Sequence, residues 1–238
     1  TAGDISMAAI TSQSGVANGT GKSGAAADIF VQAGQDVIMN GNVQTNSATA
    51  TAVQIVAGRN FVNTSNSNIT TGTGGNWTIY SHDPIGTVKG SPLTANYNYV
   101  QYGTKFGGKL LGTGNGFIYQ ISPTVTANLS GTATKVFDGN NTVTDLTGLA
   151  VTTTASYNGT ALTDQVQISP LTGAVYDNAA VGTGKPISSS GFTLVSAQTA
   201  ENKPIYNGYT AVATTSTATG SIVAVATPTT SVTFSFPR

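Results

Sequence analysis

The sequence predicts an all-β protein: a short right-handed parallel β-solenoid followed by an antiparallel β-sandwich. Three observations predict it. About a third of the 238 residues are Thr, Ser or Asn and only 8% are charged, which suits extended, hydroxyl-rich strands better than helices. A 24-residue repeat runs from Asp4 to Ser81. From Pro123 onward, short Thr/Val runs alternate with turn signals at intervals of roughly 8 to 15 residues, the rhythm of a sandwich.

The repeat aligns Asp4–Ala9 with Asp28–Ala33, Ala52–Ala57 and Asn76–Ser81. Alternate positions then form apolar ladders: Ile5/Ile29/Val53/Trp77, Met7/Val31/Ile55/Ile79 and Ala9/Ala33/Ala57, with Val37/Phe61 from the next strand. Period two inside a longer fixed period is the mark of rungs stacked at the strand spacing of about 4.8 Å. Gly34, Gly58, Asn40-Gly41 and the stretch 63–68 supply the corners, because Gly and Asn tolerate left-handed backbone. The solenoid is expected over 1–83.

Residues 84–122 break the repeat with Pro84, Pro92, many Gly, and Tyr97, Tyr99, Tyr102 and Tyr119. They are expected to form a Tyr/Gly-rich capping segment or linker that covers the last rung's open edge. Residues 123–238 are expected to form the sandwich, of Ig-like type, with turns at Asp138-Gly139, Asn158-Gly159, Pro170 and Gly182–Gly184.

Nine Lys+Arg balance nine Asp+Glu, so the electrostatic footprint of a nucleic-acid or anionic-membrane partner is missing. No apolar run is long enough to insert in a membrane as a helix. Catalytic residues are hard to assemble: His82 is the single histidine, Glu201 the single glutamate, and there is no Cys. The expectation is a non-enzyme without a cofactor. Gly15–Ser23 contains Gly-Lys-Ser, but Val16 stands where a phosphate-binding loop needs its first glycine, and the flanks are rungs instead of a strand feeding a helix. Asp138 with Asn140, and Asp177 with Asn178, have donors for a Ca²⁺ site; the ordinary alternative is an Asx turn.

Ala33–Val37, Ala57–Asn63 and Gly75–Pro84, followed by Lys135-Val136-Phe137-Asp138-Gly139-Asn140-Asn141-Thr142 and Tyr176–Lys185, carry a family likeness. The rungs resemble large bacterial filamentous-haemagglutinin-like adhesins secreted by the two-partner route. The later segment resembles the domain named for its Tyr-Asp-Gly signature, here with Phe137 in place of Tyr. The resemblance implies a secreted protein of the bacterial cell surface with a structural and adhesive role, whose partners are other copies of itself or host or cell-surface glycans or proteins. The alternative is a self-assembling filament or surface-layer subunit. Its assembly residues would be Ile5 and Met7 at an open rung, and Val232, Phe234 and Phe236, which alternate on one face of a last strand suited to edge addition.

Overall fold

A computed structural model describes residues 3–12, 27–206 and 208–227 of the chain. Nine short strands come first: β1 (Ile5–Met7), β2 (Ile10–Ser12), β3 (Ile29–Ala33), β4 (Val37–Met39), β5 (Val43–Thr45), β6 (Val53–Ala57), β7 (Phe61–Val62), β8 (Ile69–Thr70) and β9 (Trp77–Ser81). They fall into three parallel sheets that the chain visits in rotation: β1-β4-β7, β2-β5-β8, and a third containing β3-β6-β9. In the third sheet Ile29, Val53 and Trp77 stand side by side, as do Val31, Ile55 and Ile79, each 24 residues from the last. Period-two alternation turns these positions inward, so apolar side chains stack through the interior; Val53, Ile55 and Ile79 are fully buried.

The first rung departs from the expected register. Ile5 pairs with Val37 and Met7 with Met39, not with Ile29 and Val31. The reason lies in a degenerate pattern: Asp4-Ile5-Ser6-Met7 matches Asp36-Val37-Ile38-Met39 as well as it matches Asp28-Ile29-Phe30-Val31. The corner side chains select the former. The Asp36 amide donates to Asp4 Oδ1 at 3.0 Å, and one rung on the Asn60 amide donates to Asp36 Oδ1 at 2.9 Å. A second corner repeats the device, with the Asn68 amide on Asn42 Oδ1 at 2.8 Å. Asx side chains thus satisfy the backbone donors that a bend leaves without a ladder partner.

The third sheet does not stop at β9. After the short helix α1 (Ser91–Asn96), strands β10 (Tyr99–Gln101) and β11 (Gly116–Tyr119) add to it out of order, β11 beside β9 and β10 beyond β11. The ladder Val31–Ile55–Ile79 therefore continues as Phe117 and Val100. The Tyr residues expected to lie across an end are themselves interior: Tyr97, Tyr99, Tyr102 and Tyr119 are all at most 2% exposed. Gly112 and Gly116 close on the ring of Tyr99, where a Cβ would stand 2.3 and 2.4 Å from ring carbons.

Further strands follow: β12 (Thr124–Val136), β13 (Leu149–Tyr157), β14 (Thr160–Ala161), β15 (Gln165–Ile168), β16 (Val175–Tyr176), β17 (Gly182–Ser188), β18 (Leu194–Gln198), β19 (Ile205–Tyr206), β20 (Thr210–Ser216) and β21 (Thr219–Val223). Two compact units result, divided differently from the expected 1–83, 84–122 and 123–238. The first comprises Thr1–Thr126, Thr154–Ile168 and Thr193–Ala213; the second Ala127–Thr153, Ser169–Phe192 and Thr214–Arg238. In the first unit β15 and β18 form an antiparallel pair, and β19 becomes the sixth strand of the third sheet, setting Ile205 beside Val100. Segments expected in a sandwich thus bury their apolar residues against the stacked strands, with Leu162, Ile205 and Tyr209 packed on that core.

The second unit has its own core, built from Leu129, Val143, Tyr176, Ile187 and Ile222 among others. Within it β17 pairs antiparallel with β21 and with β16, whereas β12 and β21 run parallel. The expectation of a purely antiparallel arrangement is corrected there. Only hairpin neighbours are forced antiparallel, and β12 and β21 are far apart in the chain.

Ile55→Ala opens a void inside the longest ladder and is expected to lower unfolding stability by about 2–5 kcal/mol. Gln32→Ala, at an exposed position of the same sheet, should change it by less than about 0.5 kcal/mol. Denaturant titration of the two variants checks the inward and outward assignment.

Candidate functional site

The residues singled out from sequence occupy separate places. Met7 is 3% exposed and Ile5 half-buried, both paired along β4. Val232, Phe234 and Phe236 lie outside the described residues. Asp138 receives the Lys135 ammonium at 2.6 Å and the Asn140 amide at 3.1 Å. The same ammonium donates to the Asn140 and Thr142 carbonyls at 3.0 and 3.1 Å and to Asn140 Oδ1 at 2.9 Å. Asp177 meets the Lys185 ammonium at 2.9 Å, which also donates to Asn178 Oδ1 at 2.7 Å. Each proposed Ca²⁺ donor set therefore already surrounds a nearly buried ammonium, and the carboxylates are held below their ordinary range by the hydrogen bond from that lysine. The Asp-Gly-Asn-Asn stretch is an Asx turn clamped from below by Lys135. The Tyr176 amide donates to the Asn141 carbonyl at 2.8 Å and Asn141 Nδ2 donates to the Tyr176 carbonyl at 3.0 Å, which sets the stretch beside β16 in the same unit.

Most other carboxylates brace corners. Asp28 accepts from the Ser47 and Thr49 hydroxyls, and Asp145 from the Thr147 amide and hydroxyl. Asp36 takes the Arg59 guanidinium through two bonds, at 2.8 and 2.6 Å. His82 contacts Asp83 at 3.2 Å, and Asp83 accepts the Ile85 and Gly86 amides, closing the turn after β9.

Asp164 and Glu201 do something else. With Lys89 they line a cavity of about 230 Å³ in the first unit, whose inner wall is Val100, Tyr102 and Tyr119 and whose rim includes Thr163 and Glu201. Three local features aim these side chains. The Lys89 backbone follows the Val62–Val88 bridge and is held by Asn63 Nδ2 on its carbonyl at 3.0 Å. Asp164 stands between β14 and β15. Glu201 rides a tight turn after β18, closed by the Thr199 amide on the Lys203 carbonyl at 2.9 Å.

Tyrosines fix the two carboxylates. Asp164 Oδ2 accepts the Tyr102 and Tyr209 hydroxyls at 2.8 and 2.7 Å, and Glu201 Oε2 accepts the Tyr97 hydroxyl at 2.6 Å. The Thr199 hydroxyl lies 2.7 Å from the same Tyr97 oxygen. Lys89 Nζ sits 4.5 Å from the Tyr97 ring centroid and 5.1 Å from that of Phe117, a cation–π seat. Among the described residues it makes no hydrogen bond or ion pair. The Tyr119 hydroxyl is buried without a hydrogen-bond partner; the Thr87 hydroxyl, which acts on it, has its one proton shared between Ser81 Oγ at 2.9 Å and the Asp83 carbonyl at 2.8 Å.

Desolvation dominates the electrostatics. Burial lowers the Lys89 ammonium against the opposing pull of Glu201 and Asp164. It raises Asp164 above its ordinary 3.8 despite the two tyrosine donors. Glu201, nearer solvent, is held below its ordinary 4.5, chiefly by the Tyr97 hydroxyl. Tyr97, Tyr102, Tyr119 and Tyr209 are all pushed up, first by burial, so they act as neutral donors. Sequence reading missed this constellation because Lys89, Asp164 and Glu201 share no motif. The signal present was the tyrosine cluster combined with the chain's single glutamate.

A YDG domain model matches residues 122–202. The matched span supplies Asp164, Thr199 and Glu201 to the cavity, while Lys89, Tyr102 and Tyr119 precede it. No curated protein and no solved structure matches the chain.

Because Asp164 is raised, its protonated form stabilises the fold at low pH, and that contribution is lost as pH rises from 3.8 through the raised folded value. Asp164→Asn removes the titration. Its melting temperature relative to the parent chain should therefore climb between pH 3 and pH 7, as calorimetry at both values would show; a difference that stays flat or falls contradicts the raised value.

Proposed function

We propose that the chain is a non-enzymatic, secreted bacterial surface protein with a structural and adhesive role, built in the manner of filamentous-haemagglutinin-type exoproteins. In this reading the stacked strands of the first unit are the end of a β-solenoid, and the second unit is the heart of a YDG-type β-sandwich. The observation that carries it is the juxtaposition in one chain of a rotating three-sheet stack in 24-residue register with a YDG domain match. Such a stack gains stiffness from ladders that each neighbouring rung completes, and so serves as a shaft that holds other surfaces away from a cell. The lysine-clamped turns of the second unit support a structural use of the Asp-Gly signature. Their carboxylates are already satisfied, and their hydrogen bonds tie loops down instead of presenting them.

A specific observation favours a second reading, the self-assembling filament. Among the described residues β3 is bonded along one edge only, to β6. Its Phe30 is 53% exposed and rests on the exposed Phe106. An edge of this kind accepts a further strand from another copy.

Two measurements on the purified chain separate the readings. The adhesive reading expects a concentration-independent monomer in light scattering that binds to glycan- or protein-coated surfaces, and binding to neither would sink it. The filament reading expects regular fibres in electron micrographs whose growth is weakened by Phe30→Lys.

A further inference from the structure

The tyrosine-walled cavity brings one buried, unmet hydroxyl together with an ammonium and two carboxyls. The Tyr119 hydroxyl has no partner and Tyr119 is 1% exposed. Among the described residues the Lys89 ammonium is seated on ring faces and makes no hydrogen bond. Asp164 accepts its two tyrosine hydroxyls on Oδ2, and Glu201 accepts the Tyr97 hydroxyl on Oε2. Leaving buried donors and acceptors unmet is unfavourable, and in folded proteins such groups are matched by water or by a ligand.

The chemistry narrows the ligand. An apolar molecule would strand all of these groups. An anion meets one ammonium but two carboxyls, so its attraction is cancelled. A divalent cation would face the ammonium, and among the described residues no cluster of three metal-binding side chains exists. A neutral molecule bearing several hydroxyls suits the set, since each hydroxyl both donates and accepts: donation to the carboxylate oxygens, whose lone pairs exceed the donors that reach them, and acceptance from Lys89 Nζ and Tyr119 Oη. The apolar wall gives a matching surface. Tyr102 and Tyr119 stack at 5.5 Å with 29° between their planes, beside Val100 and Leu162, an arrangement that would take the C–H face of a ring. At about 230 Å³ the space is smaller than the roughly 300–1,000 Å³ of sites for drug-sized molecules, and it suits one saturated ring. Glu201 also borders an open groove beside α1 that contains Asn66, Ser91, Thr94 and Lys203, so a chain attached to that ring has a polar track out of the mouth.

We propose that this cavity binds one neutral pyranose, the terminal residue of a glycan whose next residue runs into the groove beside α1. The inference rests on the adhesive reading above and gives it a site. Lys89, Asp164 and Glu201 are the hydrogen-bonding residues, and Tyr102 and Tyr119 the floor.

The test is saturation-transfer NMR on the full chain at millimolar concentrations of the methyl glycosides of glucose, galactose and mannose and of N-acetylglucosamine. At least one should receive saturation, mainly at ring C–H protons, with millimolar affinity. Lys89→Met and Asp164→Asn should each weaken it tenfold or more, while Lys105→Met, exposed and outside the cavity, should not. Glu201→Gln, at the solvent side of the site, gives the same comparison if the deeper variants do not fold. No transfer from the folded parent chain to any of the four sugars overturns the proposal. Transfer that survives all three cavity variants also overturns it and leaves the adhesive reading intact, because binding then lies elsewhere. A chain that binds neither these sugars nor glycan- or protein-coated surfaces overturns both.

Discussion

Equal spacing between parallel strands is the constraint on which the first unit depends. In a parallel stack every inward side chain must fit the one above and the one below, so one column of positions is committed along the whole length. The column that starts at Val31 runs through Ile55, Ile79, Phe117 and Val100 to Ile205. It draws on strands from distant parts of the chain. Phe117 is the one aromatic residue in that column, and it is flanked by Trp77 and Tyr97 in edge-on contact at 5.3 and 5.6 Å. Lys89 is seated on the Phe117 and Tyr97 rings.

The stack also explains the composition. Each bend leaves backbone amides without ladder partners, and Asp4, Asp36 and Asn42 answer them by accepting from the next rung. A coil that solves its corners in this way needs Asn and Asp at fixed spacings and little other charge, which accounts for a chain with only 8% charged residues that still buries a substantial core. The same economy makes the exceptions informative. Lys135 and Lys185 are nearly buried because each anchors a turn, whereas Lys89, Asp164 and Glu201 are gathered around a space.

How much of this could be read from sequence follows from what each element depends on. β3, β6 and β9 were legible because three strands repeat one pattern at one spacing. β1 was misplaced because two candidate partners carry the same Asp-apolar-x-apolar pattern, and only the hydrogen bond between Asp4 and the Asp36 amide separates them. β10 and β11 were hidden by their reversed order in the sheet, since a repeat search assumes that successive strands stack successively. β19 was assigned to a different domain because nothing local to Ile205-Tyr206 shows that Val100 is its neighbour. The cavity was invisible for the same reason: its charged residues stand at 89, 164 and 201 and meet only once β10, β11 and the turn at Thr199–Lys203 are in place.

The central claim is that one continuous ladder unites strands from both ends of the first unit. Native-state hydrogen exchange on the backbone amides of β6, β9, β11, β10 and β19 tests it most directly. The account predicts that the hydrogen-bonded amides of all five strands exchange only through a shared opening and lose protection together in rising denaturant. If β10 and β19 exchange far ahead of β6 and β9, the column is broken at Phe117, and neither the shared core nor the cavity built on it stands.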